Sequence, residues 1–102
     1  MNILIFEYIT GGGLVGEVLP ISLVKEGELM LKAVTSDFAD VENVQVSVLR
    51  DYRLQNGQSA EYEYIVGVEQ SYVEIIETVT EKIDALLIIC LLYTSPSPRD
   101  RG

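Results

Sequence analysis

The chain has 102 residues, seven Lys and Arg against sixteen Asp and Glu, a formal net charge of -9, one Cys, no His and no Trp. About half of it is apolar, enough for one packed domain and too much for wholesale disorder. The composition excludes His-ligated zinc, a Ser-His-Asp triad and an internal disulfide, and so acidic a chain lacks the Lys/Arg surface that phosphate neutralisation needs, so no nucleic-acid partner is expected.

Residues 2–6 are mostly apolar and read as a buried strand running into Glu7 and then Gly11-Gly12-Gly13. They are too short for a signal-peptide core and lack a basic flank, and the longest apolar run, Ala85 to Tyr93, is far below the roughly 20 residues of a membrane helix. A cytoplasmic setting with no membrane partner is the expectation. A helix follows from about Pro20 to Phe38. Leu23, Gly27, Met30, Leu31, Val34 and Phe38 fall on one face of a 3.6-residue period, with Pro20 in the first turn and Glu28 and Lys32 as an exposed i,i+4 pair. Gly27 costs such a helix about 1 kcal/mol of propensity against Ala, so its place on the buried stripe points to a close helix–strand approach.

Val44, Val46 and Val48 alternate with polar residues and give a second strand ending near Leu49, followed by a polar stretch, Arg50 to Ala60, with an Asn56-Gly57 turn signal. Tyr62, Tyr64 and Val66 alternate into a short third strand whose neighbouring acids suit an edge. Ser71 and Glu74 have capping-box spacing ahead of a helix that presents Tyr72, Ile76, Val79 and Ile83 on one face. Ala85 to Ile89 reads as another buried strand. The order β-α-β-β-α-β predicts an α/β fold, a Rossmann-like half with a mostly parallel sheet in the order 3-2-1-4.

Several residues invite a chemical reading. Gly11, Gly13 and Gly16 satisfy Gly-x-Gly-x-x-Gly, but Glu7 to Thr10 intervene after the strand and Pro20 delays the helix, so a flexible loop at the carboxyl edge of the sheet is the commoner reading and nucleotide binding the alternative. Glu7 and Asp51 each follow a strand at that edge. Each reads first as a solvated loop carboxylate, with contact to a substrate as the alternative. Arg50 and Arg53 are placed to pair with Asp51 or with a neighbouring domain, as surface ion pairs of little worth. Tyr52, Tyr62 and Tyr64 read as packing residues, Met30 and Leu31 as core. Glu74, Glu77 and Glu81 read as a solvated helix face before a carboxylate metal site. The net charge leaves open an acidic interaction domain that meets a basic partner.

Residues 90–102 depart from what precedes them. Cys90-Leu91-Leu92-Tyr93-Thr94-Ser95-Pro96-Ser97-Pro98-Arg99-Asp100 looks like a sequencing adapter translated in one frame, and the stretch holds two of the three prolines and the one Cys. The expectation is a natural domain over residues 1–89 and a non-native, disordered tail over residues 90–102. Without that tail the chain carries five basic and fifteen acidic residues.

Ile5-Phe6-Glu7-Tyr8-Ile9-Thr10-Gly11-Gly12-Gly13, then Leu19-Pro20, then Glu26-Gly27-Glu28-Leu29-Met30-Leu31-Lys32-Ala33, resembles the N-terminal segment of ATP-grasp ligases. Within them it is most similar to the tyramine–L-glutamate ligase group of methanofuran biosynthesis. The Phe-Glu-Tyr start and the Glu-Gly-x-x-Met-Leu helix carry the likeness, which is recognisable in motif over about residues 1–35. The resemblance implies a pre-ATP-grasp domain that helps shape a substrate crevice, followed in the parent enzyme by domains that hold ATP and Mg2+ and join a carboxylate to an amine through an acyl phosphate. It implies amine and amino-acid substrates for the parent and, as partners, C-terminal ATP-grasp domains absent from this sequence. It assigns no catalytic, cofactor-binding or metal-ligating residue to this chain, which is expected to be inactive by itself. Only Glu7, Gly11, Gly12 and Gly13 sit where a substrate-facing loop belongs.

Overall fold

A computed structural model describes residues 1–55 and 60–89. The Asn56-Gly57 turn signal and the adapter-like tail lie outside the described residues. The elements in chain order are β1 (Asn2–Glu7), α1 (Ile21–Ala39), β2 (Gln45–Asp51), β3 (Tyr62–Val66), α2 (Tyr72–Val79) and β4 (Ala85–Ile89), with short 3-10 turns at Tyr52–Leu54 and Thr80–Lys82. The four strands form one all-parallel sheet in the order β3-β2-β1-β4, as the element order predicts.

β1 lies between β2 and β4 and is buried on both faces, which is why it reads as an almost continuous apolar run. Ile3 and Ile5 point to one side, where they pack with Val46, Val48 and Ile89 against Leu31 of α1. Leu4 and Phe6 point to the other, packing with Leu49 and Val66 against Val79 of α2. Burial of each such side chain contributes roughly 1.5–3 kcal/mol. The two helices thus cover opposite faces, as right-handed crossovers in opposite directions along one sheet require.

α1 begins one residue later than expected, because Pro20 is its N-cap and supplies the carbonyl that accepts from Val24 N at 2.9 Å. Gly27, Leu31 and Thr35 are its buried residues, flanked by half-buried Val34 and Phe38. Met30 is a correction: it is 38% exposed, on the rim of the stripe. Buried Thr35 takes part of that inner face and returns its hydroxyl to Lys32 O at 3.0 Å, which satisfies it without any outside partner. α2 opens on Ser71, whose Oγ accepts from Val73 N at 3.2 Å. Ser71 therefore caps the helix through Val73 N and not through Glu74 N, so among the described residues the capping box is not formed and a simple N-cap takes its place.

Two strands differ from expectation. β2 runs on through Arg50 and Asp51, both fully buried, because each gains a partner that replaces water. β4 has the sequence of a buried strand, yet Leu86, Leu87 and Ile88 are 41%, 37% and 56% exposed, and only Ile89 is buried. β4 is an edge strand, and neither helix extends over it far enough to cover Leu86, Leu87 and Ile88.

Candidate functional site

The carboxyl ends of the parallel strands bring together Glu7, the loop after it, Asp51 and the N-terminus of α2. Ligands sit at this edge in open α/β sheets, and it holds the buried polar residues Glu7 of β1, Thr10 of the loop after it, and Arg50 and Asp51 of β2.

Glu7 is the last residue of β1 and is completely buried, so the solvated-carboxylate reading is wrong. Its own loop replaces the lost water. Oε1 accepts from Thr10 N at 2.9 Å and from Thr10 Oγ1 at 2.8 Å, and Oε2 accepts from Ile9 N at 3.2 Å. Its backbone carbonyl accepts from Gly11 N at 2.8 Å, closing the turn. Thr10 O accepts from Asp51 N at 2.7 Å, so the same turn is tied to the end of β2.

Gly27 of α1 lies directly over this carboxylate. A Cβ there would overlap Glu7 Oε1 and stand 3.1 Å from Thr10 Cγ2. The segments around Glu7 and around Gly27, distant in sequence, therefore meet at one contact in space. Gly12, at φ +103, presses so close that a Cβ would meet Val66 Cβ at 2.7 Å. Gly11 and Gly12 are buried and Gly13 half-buried, so the glycine loop folds down onto the strand ends. α1 starts only at Ile21, not within the Gly-x-Gly-x-x-Gly run, so its N-terminus does not open on these glycines as a dinucleotide fingerprint requires.

Two arginines at the end of β2 hold the neighbouring segments. Arg50 is fully buried. Nη2 donates to Glu28 Oε2 at 2.8 Å, Nη1 donates to Glu28 Oε1 at 2.5 Å, and Nε donates to Leu54 O at 3.0 Å. Glu28 thus reaches inward to the sheet, where the sequence placed it on the outer face of α1. Arg53 bonds buried Asp51 through Nε at 2.9 Å and Nη2 at 2.7 Å, and extends to Leu14 O and Glu17 O at 3.0 and 2.6 Å. Burial by itself pushes the Asp51 carboxyl up. The hydrogen bonds from the Arg53 side chain and backbone N–H, with the charges of Arg53 and Arg50, outweigh it and hold the group below its ordinary value. The expected Asp51–Arg53 pair exists, with a fully buried carboxylate and a guanidinium that keeps contact with water while it holds the loop.

The cluster is chemically a scaffold. Its carboxylates have their oxygens engaged by their own chain, which fits positioning and does not fit proton transfer to a substrate. Tyr8 is the exposed residue here: its ring stands edge-on to Phe6 and Tyr72, at 6.5 and 5.8 Å between centroids, and offers an aromatic face at the sheet edge. Glu74, Glu77 and Glu81 of α2 and its following turn are all exposed. Among the described residues no group of three or more His, Cys, Asp or Glu is placed to hold a metal ion, and no helix is long and apolar enough to cross a membrane. The Asp51–Arg53 pair was legible from its spacing, whereas the Arg50–Glu28 pair was not, because its partners lie 22 residues apart, nor was the reach of Arg53 to Leu14 O and Glu17 O. Comparison with protein-family models, with curated proteins and with solved structures finds no match to this chain.

Proposed function

We propose that residues 1–89 are the N-terminal, substrate-side domain of an ATP-dependent carboxylate–amine ligase of the ATP-grasp type. The observation that carries the reading is the contact between Glu7 and Gly27. The Phe-Glu-Tyr start and the Glu-Gly-x-x-Met-Leu helix are distant in sequence, and a steric need couples them. A parallel α/β sheet in the order 3-2-1-4 is compatible with this reading, and the uncovered apolar side chains of β4 favour a further segment packing there.

In such a ligase a carboxylate attacks the γ-phosphate of ATP, ADP leaves, and the amine displaces phosphate from the acyl phosphate. The reading assigns ATP and Mg2+ to other domains of the parent and gives this domain the crevice wall, with Tyr8 and the residue 13–18 loop at its surface. The resemblance narrows the substrates to tyramine and glutamate. The test is ADP release with ATP, Mg2+, tyramine and glutamate. The chain alone should show none, and the polypeptide extended by the genomic continuation after the Ile89 codon should show release that needs both substrates. Turnover by the chain alone, or a continuation without ATP-binding segments, overturns the reading.

A further inference from the structure

β3 is the edge opposite β4, and the two edges differ in chemistry. β3 pairs with β2 on one side and with no strand among the described residues on the other. Glu61 N donates to Val46 O at 2.9 Å, so the alternation of a strand directs the backbone groups of Glu63 and Ile65 toward β2 and those of Tyr62 and Tyr64 to the open side. Beside this open row runs a groove of about 600 Å³ between β3 and α2. Tyr62, Tyr64 and Ile75 give it apolar walls, Ser71 and Glu74 stand along the helix, and Lys82 closes one end. Tyr62 is 57% exposed, and its ring meets that of Tyr64 at 4.6 Å between centroids.

We propose that the open edge of β3 and its groove form a docking site for an extended, lysine- or arginine-bearing peptide segment of a partner protein, which joins the sheet as a further strand. Unpaired strand backbone supplies register-independent hydrogen bonds, and side chains at alternate positions enter the groove. Charge selects the partner. Glu63 and Glu74 line the groove against a single lysine, Lys82, on a chain of net charge -9, which disfavours a second copy of this acidic chain and favours a basic partner. α2 runs antiparallel to β3, so Glu74 lies toward Ile65 and Lys82 toward Tyr62. The basic side chain of the peptide therefore belongs near the carboxyl end of β3. The site is independent of the ligase reading, since it lies on the edge away from β4.

The experiment uses the whole chain and two labelled peptides, Lys-Val-Lys-Val-Lys and Glu-Val-Glu-Val-Glu, followed by fluorescence anisotropy and amide hydrogen exchange. The lysine peptide should bind, more weakly as salt rises, and the glutamate peptide should not. Binding should slow exchange at Tyr62 and Tyr64 and leave the β2-paired amides of Glu63 and Ile65 unchanged. Tyr62→Pro removes an outward N–H that the sheet does not use, a place where an edge strand tolerates Pro. It should lower affinity about tenfold against Tyr62→Ala, and Glu74→Lys should lower it about as much. Equal binding of both peptides, binding of neither, unchanged exchange at Tyr62 and Tyr64, or full affinity in either Tyr62→Pro or Glu74→Lys overturns the proposal.

Discussion

Glu7 shows how much one buried carboxylate decides. It fixes the turn that follows β1, and it requires that position 27 of α1 carry no side chain. Gly27→Ala gains about 1 kcal/mol of helix propensity and forces an overlap that costs about 1–3 kcal/mol. Urea denaturation should show a net loss, and in a Glu7→Ala background, where the obstructing carboxylate is gone, the same change should be neutral or stabilising. Arg50 and Glu28 differ in a second way. Arg50 is fully buried and Glu28 keeps contact with water, so removal of each strands a different charge. Glu28→Ala leaves a buried cation and should cost about 3–5 kcal/mol, whereas Arg50→Met leaves a carboxylate that water reaches and should cost less. Equal losses would contradict this account.

Asp51 carries a pH prediction. Its folded value lies below the ordinary carboxylate value, so the unfolded chain binds the proton more readily between the two. The stabilisation is complete above the unfolded value of about 3.9 and is lost as pH falls through the lower, folded value. Asp51→Asn should flatten the acid limb of a stability-against-pH curve and leave its slope near neutrality unchanged. A variant with the same acid limb as the parent chain would show that the clamp contributes nothing to folding.

At the scale of elements, the contrast between β1 and β4 matters most. Both are short apolar runs, and periodicity reads both as buried strands. β1 has a strand on each side and a helix over each face, while β4 has, among the described residues, a neighbour on one side only. An uncharged edge without Pro is open to pairing with other chains. Purified chain should therefore self-associate with rising concentration in analytical ultracentrifugation, and Leu86→Lys with Ile88→Lys should suppress it. Both side chains are largely exposed, so the double variant should melt within about 1 kcal/mol of the parent. A concentration-independent monomer would show that the edge is already covered. α1 illustrates the reverse case: its Leu31–Val34–Phe38 stripe was legible from spacing, but Thr35 entered the face and Met30 left it, because the helix meets the sheet a little to one side of the most apolar line.

For the whole molecule, the sequence by itself determined the element order and, through the right-handed crossover rule, the parallel sheet with β1 near its centre. That was possible because apolar periods of two and of 3.6 residues are local properties, and the topology of so few elements has few solutions. Only the tertiary structure decided which polar residues are buried. Glu7, Arg50 and Asp51 look like loop residues in a sequence because an isolated charge belongs in water. They are buried here because Thr10, Glu28 and Arg53, brought close by the folded chain, supply the hydrogen bonds that water would have given. The same holds for the bare side chains of β4, since a strand's exposure depends on its neighbours and not on its own composition.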